Sequence, residues 1–159
     1  MTMLSKVRAI LARLVLTECS PSRLALSCSI GVFVAFSPFI GFHTIMMLAL
    51  AWFGRLNFAV VYAASHVVNN PFTVAPLYWL NHIFGKQLCQ LLFGFLPANP
   101  LWMNWINAKI ILYTGLPGVS LWAFMLGGNL LGLMVSVMLY PIMIWIFNRM
   151  TAKQTTTAA

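Results

Sequence analysis

Between Arg23 and Arg55 the chain runs for thirty-one residues without a Lys, Arg, Asp or Glu, and from Ile110 to Asn148 it does so again. Charge-free runs of that length have no place on a water-facing surface, whereas a bilayer accepts them. Charged residues make up only 6% of the chain and hydrophobic residues 62%, while a soluble domain carries roughly 25% charged residues. The expected fold is therefore an all-α polytopic membrane protein of one domain.

The charge inventory narrows the chemistry. Nine Lys and Arg stand against a single acid, Glu18, and no Asp, for a net charge of +8. Paired carboxylates for acid–base work are missing, and a Ser-His-Asp arrangement has no third member. Proton and sodium pumps often carry an intramembrane acid, and none is available. An enzyme is not expected. Cys19, Cys28 and Cys89 form no CxxC or ligand spacing, and His43, His66 and His82 match no metal motif, so no metal or cofactor is expected either. The basic residues are spread thinly between apolar runs, which points to anionic lipid rather than nucleic acid.

Residues 1–19 carry Lys6, Arg8 and Arg13, with Leu4, Val7, Leu11 and Leu14 at helical spacing. That pattern reads as an amphipathic helix on the membrane surface. A signal peptide is the rival, but Arg13 interrupts its apolar stretch and no small-residue cleavage site follows. Residues 20–149 form the membrane domain, opened by Ser20-Pro21 as N-cap and first-turn proline.

Within that domain, residues 24–54 are apolar and broken at Ser37-Pro38-Phe39-Ile40-Gly41. As one helix they would measure ~46 Å against a hydrocarbon core of ~30 Å. Residues 58–85 repeat the plan with a break at Asn69-Asn70-Pro71-Phe72, and Pro76 marks a further interruption. Each Pro-broken segment suits either a re-entrant hairpin or one kinked span. Residues 86–109, with Pro97, Pro100, Trp102 and Trp105, read as an interfacial connector. Residues 110–148 read as a C-terminal transmembrane helical hairpin of two short spans turning at Gly127-Gly128-Asn129. Gly128, Gly132 and Ser136 form a small-residue stripe that lets another helix approach. Residues 150–159 read as a disordered tail. The N-terminal cluster and the Arg149/Lys153 end both mark the cytoplasmic side, giving a multi-pass protein with both termini cytoplasmic.

Ser37-Pro38 and Asn70-Pro71 have the form of N-caps followed by first-turn prolines. As starts of second helical arms they would turn two helix N-termini into the membrane, each a ready anion site. Ser37, His43, Thr44, His66, Asn69, Asn70 and Thr73 supply polar side chains nearby, and Arg55 could draw an anion from the surface. The plainer reading is that these groups only satisfy backbone freed by the breaks.

Gly31-Val-Phe-Val-Ala-Phe-Ser-Pro38, Gly41-Phe-His43, Arg55-Leu-Asn57 and Asn70-Pro71-Phe-Thr73 occur in that order. This set resembles the family called domain of unknown function two-zero-six-two, over about residues 20 to 95. The resemblance implies a bacterial inner membrane and, because some relatives carry a glycosyltransferase domain, a link to envelope lipids or glycans. It implies no established activity. Many relatives have Gly-x-Gln after the first proline where this chain has Gly41-Phe-His43.

Two functions fit these features. One is a transporter or flippase that takes an anionic substrate, such as a phosphorylated lipid, between the broken segments. The other is a non-transporting scaffold or accessory subunit that docks envelope enzymes through the Gly128/Gly132 face. In either case membrane lipids are partners, together with a second copy or another membrane protein.

Overall fold

The computed structural model describes residues 20–39, 41–114 and 118–158, and every regular element among them is helical. The amphipathic helix expected over residues 1–19 lies outside the described residues, as do Ile40 and residues 115–117.

Helix α1 (Pro21–Phe36) opens on Ser20 with Pro21 in its first turn, as expected, although the Ser20 side chain makes no capping bond. It stops because Ser37 precedes a proline. The ring of Pro38 disfavours helical geometry at the preceding residue, and Ser37 adopts φ −65°, ψ 133°. Ser37 is therefore the C-cap of α1 and not the start of the next helix. Gly41 follows in the left-handed region at φ +89°, and α2 (His43–Gly54) begins only after Phe42.

Arg55, at φ 50°, ends α2, and the Leu56 amide donates back to the Ala51 carbonyl at 2.8 Å, a Schellman-type closure. Asn57 caps α3 (Phe58–Val68), its Oδ1 accepting from the Val60 amide at 3.3 Å. The second break follows at residues 69–73, then α4 (Val74–Phe93), which ends on left-handed Gly94. Pro76 does not break α4. It sits in the first turn, where a missing N–H removes no intrahelical bond. Only residues 94–100 separate α4 from α5 (Leu101–Thr114), so the expected connector is largely helical.

The C-terminal segment departs most from expectation. Helix α6 (Leu121–Ala158) runs unbroken through Gly127-Gly128-Asn129, so no hairpin turns there. The tail expected to be disordered continues the helix to Ala158. Among the described residues one helix, Leu121–Ala152, is long and apolar enough to cross a membrane.

Neighbouring pairs give the direction of packing. The Asn57 amide donates to Ser27 Oγ at 3.1 Å, and Gly31 faces Val61 and Ala64, so α1 and α3 run side by side in the same direction. Helix α2 runs back between them, with Val34, Met47, Ala51 and Val61 forming a small apolar core. Gly128 meets the Phe36 carbonyl while Gly132 meets Phe33, so α6 is antiparallel to α1. The small-residue stripe thus receives a helix of the same chain. Ser136 is buried too, its Oγ donating to the Leu133 carbonyl at 2.9 Å.

Glycine is obligatory where α4 crosses α6. A Cβ on Gly85 would lie 1.7 Å from the Ala123 carbonyl oxygen, and one on Gly127 would lie 1.9 Å from that of Asn81. Overpacking typically costs about 1–3 kcal/mol, and more where backbone must move. Gly94 meets nothing within 4 Å, so alanine there carries only the left-handed strain of about 1–2 kcal/mol. Thermal unfolding in detergent should rank Gly85→Ala and Gly127→Ala as clearly more damaging than Gly94→Ala. Equal losses would contradict the crossing.

Candidate functional site

The end of α1 is buried among polar groups. Asn81, fully buried on α4, donates through Nδ2 to the Phe36 carbonyl at 2.9 Å. His43 Nε2 lies 2.9 Å from the Ser37 carbonyl oxygen, and Ser37 Oγ donates to Asn129 Oδ1 at 3.4 Å. Asn129 in turn donates through Nδ2 to the Met125 carbonyl at 2.9 Å. Three helices therefore converge on one helix end.

Beside this knot lies a small polar pocket of about 180 Å³ between α2 and α3, lined by His43, Thr44, Met47, Ser65, His66 and Asn69. The antiparallel pairing brings the start of α2 against the end of α3, so His43 and Thr44 meet His66 and Asn69. Phe42, at the N-cap of α2, offers no side-chain bond to the first-turn amides. That leaves the positive end of a helix dipole beside the pocket.

The second break is built differently. Asn70 Oδ1 accepts from the Phe72 and Thr73 amides at 2.9 and 3.1 Å, and its Nδ2 donates to the Val67 carbonyl at 3.0 Å. Thr73 Oγ1 donates to the Val68 carbonyl. Asn70 closes the turn at Pro71–Thr73 and is not the N-cap of α4, which is Thr73, and it consumes the donors that an anion would need. Neither Asn70 nor Thr73 lines the pocket.

Arg55 is also elsewhere. It lines a separate cleft with Leu48, Trp52 and Phe58 at the far end of α2, about 18 Å from His43 along the helix. The eight polar residues expected to share a site therefore divide into three groups. His43, Thr44, His66 and Asn69 share the pocket, with Ser37 behind His43. Asn70 and Thr73 close a turn, and Arg55 stands apart. Reading the sequence missed Ser65, whose signal was its i, i+4 spacing with Asn69.

A third cavity is apolar. It is an open groove of about 720 Å³ lined by Phe33, Leu88, Leu92, Trp122, Met125, Leu126, Asn129, Leu130 and Leu133. At the start of α6 the Ser120 amide donates to His82 Nε2 at 3.1 Å, which anchors α6 to α4. His82 therefore has a structural role there.

Asn70→Ala should cost about 1 kcal/mol through the lost side-chain hydrogen bonds of the turn. In folded protein it should leave any ligand of the α2–α3 pocket bound with unchanged affinity. Loss of binding in a folded Asn70→Ala variant would return Asn70 to the site.

No curated protein and no solved structure matches the chain. The family model for an uncharacterized protein conserved in bacteria (DUF2062) matches residues 4–156, nearly the whole chain, and the protein belongs to that family.

Proposed function

We propose that this chain is a multi-pass protein of the bacterial inner membrane that binds an anionic head group, such as that of a phosphorylated lipid, in the α2–α3 pocket and moves it across the bilayer. The observation that carries this reading is the pocket itself, with two imidazoles, two hydroxyls and an amide beside an uncapped helix start. The only acid in the sequence is Glu18, outside the described residues, so no carboxylate among them competes with an anion. A volume of about 180 Å³ suits a head group and not a whole lipid, since drug-sized pockets run to about 300–1,000 Å³.

The membrane setting is supported by an inverted surface. Phe72 is 91% exposed, and Leu101, Leu91, Phe53 and Trp52 are also well exposed, while Ser27, Ser37, Asn81 and His82 are buried. Water would penalise such a surface, whereas lipid favours it. Helices α1, α2 and α3, at 16, 12 and 11 residues, fall short of the ~20 residues needed to span. A re-entrant hairpin of α1 and α2 fits those lengths. The antiparallel packing of α1 and α6 puts the Arg23 and Arg149 ends on one face. The return of α2 brings Arg55 to the same side. By the excess of positive residues, that face is cytoplasmic.

The scaffold reading loses its docking face, because Gly128 and Gly132 already pack on Phe36 and Phe33.

Binding of phosphatidylglycerol, set against phosphatidylcholine, to the purified full-length protein tests the site. The His43→Ala/His66→Ala variant should bind at least about tenfold more weakly, a difference of about 1.4 kcal/mol, with its fold verified by thermal unfolding. Vesicles reconstituted with the protein should move fluorescent phosphatidylglycerol between leaflets, and binding without movement would refute transport. For topology, Arg55→Cys in a background without Cys19, Cys28 and Cys89 should react with an impermeant thiol reagent only from the cytoplasmic side. Labelling from the periplasmic side would replace the hairpin by a kinked span.

A further inference from the structure

We infer that the anion enters the α2–α3 pocket together with protons, which His43 and His66 take up. This inference rests on the anion site proposed above and adds the ion to which it is coupled.

The geometry fixes one nitrogen of each ring. Nε2 of His43 lies 2.9 Å from the Ser37 carbonyl oxygen, and Nδ1 of His66 lies 2.9 Å from the Tyr62 carbonyl oxygen. A carbonyl oxygen only accepts, so each of these nitrogens carries the hydrogen. In the neutral ring the remaining nitrogen, Nδ1 of His43 or Nε2 of His66, has a bare lone pair. Two lone pairs repel an oxyanion. A proton added to each converts it to a charged N–H donor and leaves both carbonyl bonds intact. With neutral rings an oxyanion beside the Thr44, Ser65 and Asn69 donors also meets two lone pairs, and with both rings protonated it meets two charged N–H donors in their place. Each proton leaves solvent hydronium or the buffer acid and forms an N–H bond at the nitrogen lone pair, and no bond between heavy atoms changes.

The surroundings make the anion the only counter-charge. On α3, Tyr62 stacks on His66 with ring centroids 4.0 Å apart. On α2, Arg55 lines the cleft at the opposite end, and α1 carries Arg23 and Cys28. None of these groups lines the pocket. With no carboxylate among the described residues, nothing in the pocket holds the imidazolium charge once the anion leaves. Proton and anion therefore raise each other's affinity by the same factor, and a transporter built on this pocket would carry both in one direction.

The test uses the purified full-length protein and two probes whose charge is constant between about pH 5.5 and 8.5, phosphatidylglycerol in mixed micelles and inorganic sulfate. Titration calorimetry in two buffers of different ionisation enthalpy counts the protons taken up on binding. The count should be above zero and no more than two, and affinity should fall as pH rises, by up to about tenfold per pH unit for each proton taken up. Binding of phosphatidylglycerol alone assigns the site to lipid head groups, and binding of sulfate assigns it to oxyanions generally, each with the same proton count. His43→Gln and His66→Gln supply an amide N–H that needs no proton, so each should bind with a smaller count and the double variant with a flat pH profile. A wild-type profile in the folded double variant would overturn the assignment to these histidines. Should that variant fail to fold, the wild-type count and the single variants decide. Binding of either probe without proton uptake refutes the coupling and leaves the anion site standing. No binding at any pH refutes both.

Discussion

The end of α1 stops inside the protein, and its last carbonyls have no further turn of helix to serve them. A buried carbonyl without a partner costs about 1–3 kcal/mol, and in lipid no water is at hand to meet it. The chain answers with side chains from elsewhere: Asn81 of α4 donates to the Phe36 carbonyl and His43 of α2 to that of Ser37. Asn129 of α6 accepts the Ser37 hydroxyl. The backbone of α6 comes this close because Gly128 has no side chain facing the Phe36 carbonyl. A stop forced by Pro38 thus fixes the positions of α2, α4 and α6 together.

How much of this was legible in the sequence depends on whether the cause is local. The stop at Ser37 was legible because a proline acts on its immediate neighbour. The start of α2 was not, since nothing in Pro38–Phe42 marks a cap, and Phe42 provides none. Gly127-Gly128-Asn129 read as a turn because glycine serves turning and packing equally well. Only the neighbours separate those uses. Gly127 faces Asn81 and Gly85 of α4, while Gly128 faces the Phe36 carbonyl of α1 and the Asn81 side chain that binds it, so the pair admits α4 and the end of α1 together. Asn81 carries no local signal of its partner, although a lone amide in an apolar helix is the kind of residue that must find a carbonyl.

The candidate site divides along the same line. His43 and Thr44 open α2, and His66 and Asn69 close α3, so folding the two helices back on each other brings all four together. The charge of Arg55 suits an anion but carries no information about position, and Arg55 lies at the opposite end of α2. Asn70 before Pro71 carries a local cap signal, whereas Thr73, expected only as a polar neighbour of the site, turns out to be the N-cap of α4. The Phe72 and Thr73 amides are no open donor site, because Asn70 Oδ1 already holds them.

His43 belongs both to the knot at the end of α1 and to the wall of the pocket, and this double role constrains what the pocket can do. A ring flip, or a ligand that took Nε2, would withdraw the donor from the Ser37 carbonyl and loosen the point where the helices meet. A proton arriving at Nδ1 does neither, because the Nε2–H bond is kept and strengthened by the added charge. His66 is held in the same way to the Tyr62 carbonyl one turn back in its own helix. On the proposed reading, the pocket can therefore switch between lone pairs and charged donors without disturbing the contacts that define the fold. Protonation is the change of state that the knot at Ser37 permits.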